Sequence, residues 1–420
     1  MRSKNFVWQV ILACTAMCVI HADWPRYLGN NYGQADVKIA RSWPSNGPKV
    51  LWQQKLGVGY GGACIHNKEV FLLDRVNNEK DVLRCFALGS GKELWSVSFV
   101  ARGRLSYDGS RSTPAVNDTH VYAFGPFGDI YCVDRKSHKV AWTKSLTKTY
   151  GFKIQSIPHR WGFSQSPLLH DGKVILSPCI SRRVGLVALD AKTGKEVWNN
   201  KEFRGQTYVS PMVYNIGGVE QVVVMVPRTI AGVDPKTGKT LWAYKEYKNP
   251  IPIPTITPLG NDRFFITGGY NSGSVVVTIS KQNSLYKVKT EKRLKKGAQI
   301  HPGVFINNHI YVNLNENANL GSSPPNLACL NSQGKILWES KKGLAIGRGG
   351  MITINGLLLI LAGQSGKLHL LEPSPAGAKE LATAQIFEPS RQNYIWAPIA
   401  FSDGKLVIRD QTNLKCLDLK

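Results

Sequence analysis

Residues 186–198 read L-V-A-L-D-A-K-T-G-K-E-V-W. A short β-prone run ends in Asp190, a polar Lys-Thr-Gly segment follows, and a second run closes on Trp198. Two such runs joined by a turn whose glycine can take positive φ form a β-hairpin. The stretch recurs. Residues 233–242 read V-D-P-K-T-G-K-T-L-W, residues 132–142 read C-V-D-R-K-S-H-K-V-A-W, and residues 85–95 and 329–338 are further copies. The closing residues are Trp52, Trp95, Trp142, Trp198, Trp242 and Trp338, and degenerate copies put Tyr286 and Leu381 in the same role. Their mean spacing is about 47 residues, and that period with about four short strands per unit is the signature of a β-propeller.

Each period can be parsed the same way. In the second, strands are expected at residues 113–116, 119–124, 130–133 and 140–146. The proline opening each unit recurs as Pro114, Pro167, Pro211, Pro258, Pro302 and Pro398, where a first strand residue tolerates it. The chain stops after a third strand at residues 414–420 and begins its repeats with a fourth strand at residues 50–56. Pairing those ends closes an all-β ring of eight four-stranded antiparallel blades and leaves no open seam. Seven blades is the alternative if the weak copies near 286 or 381 are misread. The expected organisation is a leader at 1–22, an arm at 23–49 and one propeller at 50–420.

Aligning the copies also explains the cysteines. Cys85, Cys132, Cys329 and Cys416 occupy one repeat position that Ala188 and Gly232 fill elsewhere. Such a site is a small buried strand position, and copies in different blades lie too far apart to bridge. Cys64 and Cys179 read as strand residues, with no Cys-x-x-Cys and no adjacent Cys pair. Asp134, Asp190, Asp234 and Asp418 recur at the hairpin turn, where an Asp bonds its own backbone.

The 420 residues are 43% hydrophobic and 19% charged, a globular composition, with a formal net charge of +25. That excess favours a polyanionic partner or reflects lysines on solvated turns. Arg2 and Lys4 precede a mostly apolar run at 6–20, and Ile20-His21-Ala22 resembles a cleavage site, so the N-terminus reads as a secretory signal peptide. Lipoprotein anchoring at Cys14 is the alternative. No other stretch could span a bilayer. An exported, periplasmic or extracellular chain points away from nucleic acid and toward an envelope protein or an anionic ligand. The oligomeric state is not legible.

Turns alternate between the two faces of an antiparallel blade. The inter-blade loops therefore lie on the face opposite the Thr-Gly-Lys hairpins, and they lead to the innermost strands. They carry Arg104, Tyr107, Arg111, Arg160, Trp161, Arg204, Tyr208, His301, Arg348, Arg391, Tyr394 and Trp396. The expectation is a basic, aromatic-lined funnel on the axis, since Arg suits carboxylate, sulfate or phosphate. Ordinary solvated loops are the alternative. Gly57-x-Gly59-x-x-Gly62 matches a dinucleotide fingerprint, but a strand pattern follows it rather than a helix, so a tight inter-blade loop is expected. The nine histidines are scattered, no metal cluster is suggested, and no catalytic residue stands out. The loop at 315–326 is the longest second-to-third connection and a candidate lid or partner contact.

The run A-L-D-A-K-T-G-K-E-V-W at 188–198 resembles the tryptophan-docking motif of pyrroloquinoline-quinone (PQQ) repeat propellers, and D-W-P-R-Y-L-G at 23–29 resembles the mature start of exported members. The resemblance covers nearly the whole chain after the leader, strongly in blades two to four and weakly in five and seven. It implies a quinoprotein-type propeller. The family includes quinone-dependent dehydrogenases and cofactor-free members such as the outer-membrane assembly propeller lipoprotein, so the repeat implies fold and leaves activity open. The enzymes carry an acidic base, a calcium site of carboxylate and amide, and often a vicinal disulfide, which this chain lacks. The first expectation is thus a non-catalytic exported scaffold without cofactor. The others are a PQQ- and calcium-dependent oxidoreductase and a polyanion- or carbohydrate-binding protein using the funnel.

Overall fold

The computed structural model describes residues 23–153, 161–315, 327–340, 344–389 and 394–420. Eight antiparallel sheets of four strands stand around one axis. Blade 3 shows the pattern: Leu168–His170, Lys173–Leu176, Leu186–Asp190 and Glu196–Asn200 pair in sequence order. First strands of neighbouring blades touch each other and ring the axis. The eighth blade takes three strands from the C-terminus and its fourth, Val50–Lys55, from the N-terminus, with Trp52 opposite Cys416. The fold has eight blades, and among the described residues helix is limited to the short segment Leu146–Tyr150. No described helix is long and apolar enough to cross a membrane.

The repeat residues perform one packing task. Each closing Trp faces the small repeat residue across the outer strand pair: Cys85 opposite Trp95, Cys132 opposite Trp142, Ala188 opposite Trp198, Gly232 opposite Trp242 and Cys329 opposite Trp338. A larger side chain there would collide with the indole. The indole then docks on the next blade. Trp52 Nε1 donates to the Leu88 carbonyl at 2.8 Å, Trp142 to Ala191 at 3.0 Å, Trp198 to Pro235 at 3.1 Å and Trp338 to Ser374 at 2.9 Å. The turn glycine of the next hairpin lies flat on the ring. A Cβ on Gly238, already at φ +74°, would stand 2.7 Å from the Trp198 ring. In blade 2 His138 takes that left-handed turn position (φ 56°) and stacks on Trp95 at 5.3 Å.

Two landmarks need correction. In blade 5 the strand partner equivalent to Trp is Lys292, opposite Val276, and Tyr286 sits further along, opposite Lys281. The hairpin there runs on to Gln282 and Leu285 with no Lys-Thr-Gly turn. Trp242 of blade 4 consequently bonds Gln221 of its own blade at 2.7 Å. In blade 7 the equivalent residue is Ala382, opposite Leu370, and Leu381 falls in the bulge. Apolar content alone could not reveal a one-residue slip at a bulge.

The arm before the ring crosses the axis. Trp24 and Ile65 exchange backbone hydrogen bonds at 2.9 and 2.8 Å, and the Pro25 carbonyl accepts from Val116 N–H at 2.9 Å. The Tyr32 hydroxyl donates to the Val213 carbonyl at 2.7 Å, and its ring stacks on Tyr214. Gln34–Ala35 adds a parallel strand to Gly350–Ile354. These partners belong to the first strands of blades 1, 2, 4 and 7, so the arm lies across the channel on the hairpin face.

Candidate functional site

A cavity of about 640 Å³ occupies the axis. Every inter-blade loop contributes to it. Round the ring come Tyr60, then Tyr107 with Arg111, then Trp161, then Tyr208, then Ile253, then His301, then Arg348, then Trp396. Tyr270 and Asn271 enter from a second-to-third loop of blade 5, and Tyr27 enters from the arm. The loop geometry that places these side chains is visible at Gly57, Gly59 and Gly62. A Cβ on Gly57 would stand 1.8 Å from the Arg75 carbonyl, and one on Gly59 2.6 Å from Ser110 Oγ. The three glycines make a close-packed inter-blade turn that carries Tyr60 to the axis.

One wall is aromatic and flanked by cations. Trp396 stacks on Tyr60 at 5.1 Å and on Tyr394 at 4.9 Å, and Tyr107 meets its edge at 5.4 Å. Arg111 lies over Tyr60 at 5.5 Å and Arg348 over Trp396 at 5.7 Å, both in cation–π range. Trp161 and Tyr208, 5.4 Å apart, stand on the far side of the ring. Arg111 donates from Nη2 to the Tyr107 carbonyl. Arg348 Nε donates to Gln299 Oε1 at 2.6 Å. Burial pulls Arg111 down to about 10, so it stays a cation at neutral pH. Burial also lowers Arg348. Burial depresses His301 to about 4 against a hydrogen bond to the Trp396 backbone, so its ring is neutral. Buried atoms on these walls without a protein partner include Arg111 Nε, Tyr208 Oη, Trp396 Nε1 and His301 Nε2.

Of the residues expected in the funnel, Arg111, Trp161, Tyr208, His301, Arg348 and Trp396 line this cavity, and Tyr394 backs Trp396. Arg104 and Arg204 do not. Both are exposed, and Arg204 borders a separate depression beside Arg228 and Lys245. Arg160, Arg391, the leader with Cys14, and residues 316–326 lie outside the described residues. Among the described residues the cavity is thus less cationic and more aromatic than the loop sequences suggest. Tyr27, Tyr60 and Tyr270 were not expected. Tyr27 belongs to the D-W-P-R-Y-L-G run and Tyr60 to the glycine motif, and those runs were the available signals.

The turn aspartates carry no chemistry. Asp190 Oδ1 accepts from Lys192 N–H, Thr193 N–H and the Thr193 hydroxyl, and Asp234 accepts from Lys236 and Thr237 N–H. The described cysteines are unpaired and buried.

Fold and cavity together define an eight-bladed propeller of PQQ-like repeats with an axial pocket. The family described as outer membrane protein assembly factor BamB matches residues 79–312, and the chain belongs to it. The chain is also similar, at 32% identity over 100 residues, to the quinohemoprotein alcohol dehydrogenase of Comamonas testosteroni, a match spanning 23% of this chain and 13% of that protein. Among solved structures, a europium-containing methanol dehydrogenase superposes with a TM-score of 0.65 at 13% identity, covering 92% of this chain and 89% of the other. The Comamonas enzyme gives 0.60 at 12% identity over 94% and 80%. At such identities these two share the fold and nothing finer.

The family's enzymes hold a quinone with a metal ion, and the donor set here can be tested against that. A hard cation such as calcium needs several oxygen ligands including carboxylates. Among the described residues no Asp or Glu lines the cavity. Asp108, the acid nearest Arg111, is committed to Asn78 and to Leu105 N–H. Among the described residues no group of three His, Cys, Asp or Glu is placed to hold a metal ion. The described residues of the cavity do not supply the carboxylate ligands that a metal-supported quinone would need.

Proposed function

We propose that this protein is an exported, non-catalytic propeller of the cell envelope that binds an anionic ligand in its axial pocket and serves there as a binding or assembly scaffold. The observation that carries the reading is the pocket lining, which among the described residues holds two guanidiniums, a wall of stacked aromatics and no carboxylate. A pocket of this size suits a small ligand or a chain end. The description of the matched family and the leader-like residues 1–22 support an envelope location. The test is a titration of the whole protein with PQQ and calcium, followed by absorbance and by a dye-linked alcohol dehydrogenase assay. The reading expects no dye reduction above a blank. Saturable cofactor binding with dye reduction would overturn it in favour of the oxidoreductase.

A further inference from the structure

The pocket is blind. Tyr27 closes it from the hairpin face, where the arm is tied by backbone hydrogen bonds to blades 1, 2 and 7. Burial raises the Tyr27 hydroxyl to about 12, so the floor is neutral. A polymer therefore cannot thread the ring; only a chain end or a small molecule can enter, and it must come from the inter-blade loop face.

The unpartnered atoms say what must enter. Arg111 Nε and Trp396 Nε1 are donors without acceptors. Neutral His301, only 8% exposed, bonds the Trp396 backbone and leaves Nε2 as an acceptor without a donor. Leaving such groups buried and unpaired is costly, so the fitting ligand pairs them. It needs an anionic oxygen for the arginines, a hydroxyl to donate to His301, and a flat C–H face for the rings of Tyr60, Trp396 and Trp161. A flat aromatic polycarboxylate supplies the first and third and lacks the hydroxyl. A neutral sugar supplies the second and third and lacks the charge. A sugar carrying a carboxylate has all three.

Resting on the binding-pocket reading above, we infer that the axial pocket receives the terminal uronate unit of an acidic glycan, its carboxylate between Arg111 and Arg348 and its ring against the aromatic wall, stopping on Tyr27. The experiment is isothermal titration of the full chain with trigalacturonate, hexagalacturonate, neutral galactotriose, a glutamate-rich peptide and sulfate. Trigalacturonate binds saturably, the hexamer binds with the same affinity per chain because added units stay outside a blind pocket, and galactotriose does not bind. Arg348→Gln weakens trigalacturonate about tenfold or more, the loss of one charge-assisted contact, while Arg204→Gln leaves it unchanged. His301→Gln, which keeps an acceptor, retains binding, and His301→Leu loses it; this pair decides the matter should Arg348→Gln fail to fold. Tight binding of galactotriose, or hexamer affinity rising with length, overturns the inference. Binding of sulfate or the peptide alone, abolished by Arg348→Gln, overturns the uronate and leaves the anion pocket standing. Failure of every anion overturns both.

Discussion

On the hairpin face Trp198 is buried over Gly238, donates to the Pro235 carbonyl, and sits beside a turn whose Asp190 is saturated by Thr193 and Lys192. On the loop face Trp396 stacks between Tyr60 and Tyr394 with its Nε1 unpartnered, and Arg111 and Arg348 lie over the same aromatic cluster. Both faces are built from Trp, Gly and charged residues. They differ in satisfaction: every repeat tryptophan of the hairpin face except Trp95 bonds its Nε1 within the protein, whereas the loop face leaves Trp396 Nε1, Arg111 Nε and His301 Nε2 open. Repetition marks the part of a propeller that holds itself together, and the departures from repetition mark the part free to meet something else.

Truncation of the two tryptophans gives the largest expected effect. Trp198→Ala removes a docked indole from an inter-blade seam and should cost about 3–5 kcal/mol of stability, read as a lower urea midpoint, with anion binding by the remaining folded protein unchanged. Trp396→Ala should move the midpoint much less and abolish binding. If the two variants lose stability equally, the distinction between the faces is broken.

The same distinction governs what the sequence revealed. The ring, its eight blades and its closure by Val50–Lys55 were legible because each docking contact repeats the same small residue, turn and Trp. The register of blades 5 and 7 was not, because Lys292 replaces the indole in blade 5 with Tyr286 well along the strand, and in blade 7 Ala382 replaces it with Leu381 one residue away in the bulge. In the pocket, membership of Arg111, Trp161, Tyr208, His301, Arg348 and Trp396 followed from topology, since inter-blade loops lead to the axis. Whether a loop side chain turns inward is set by local backbone, so Arg104 and Arg204 could not be told from Arg111. Tyr27 was missed for a different reason: the D-W-P-R-Y-L-G run marks the arm, but its irregular pattern does not say that the arm crosses the channel.

His301 sharpens the comparison through pH. Its folded value of about 4 lies below the ordinary 6.5, so between these the unfolded chain binds more protons. Stability therefore rises with pH across that window and is lost as pH falls from about 6.5 to 4, by up to about 3 kcal/mol. Asp81 runs the other way. Burial beside Arg75 raises it to about 6, so its contribution is lost as pH rises from about 4 to 6. The two overlap, and the wild-type profile alone cannot separate them. His301→Gln can: the difference in urea midpoint between wild type and variant should slope across pH 4–6.5 and flatten above it. A difference independent of pH would mean the pocket histidine is not held neutral by its surroundings.

The smallest effect concerns the residue opposite each docking Trp. Gly232 and Cys132 hold the same repeat position, yet their surroundings differ. A Cβ at Gly232 would stand 2.1 Å from Trp242 Nε1 and 2.4 Å from Gln221 Oε1, the two atoms that bond each other in place of docking on blade 5. Cys132 already carries a side chain, and Trp142 docks on blade 3 through Ala191. Replacing glycine by alanine in a strand should by itself stabilise by about 0.5–1 kcal/mol. Gly232→Ala should instead destabilise by about 1–2 kcal/mol, because the indole must be displaced and its bond to Gln221 broken. Cys132→Ala, which only trims a sulfur, should cost less than about 1.5 kcal/mol. Chemical denaturation of the two variants side by side reads the difference. The reverse order would mean that blade 4 does not seat its Trp on its own strand, and that the small position is set by something other than the indole across from it.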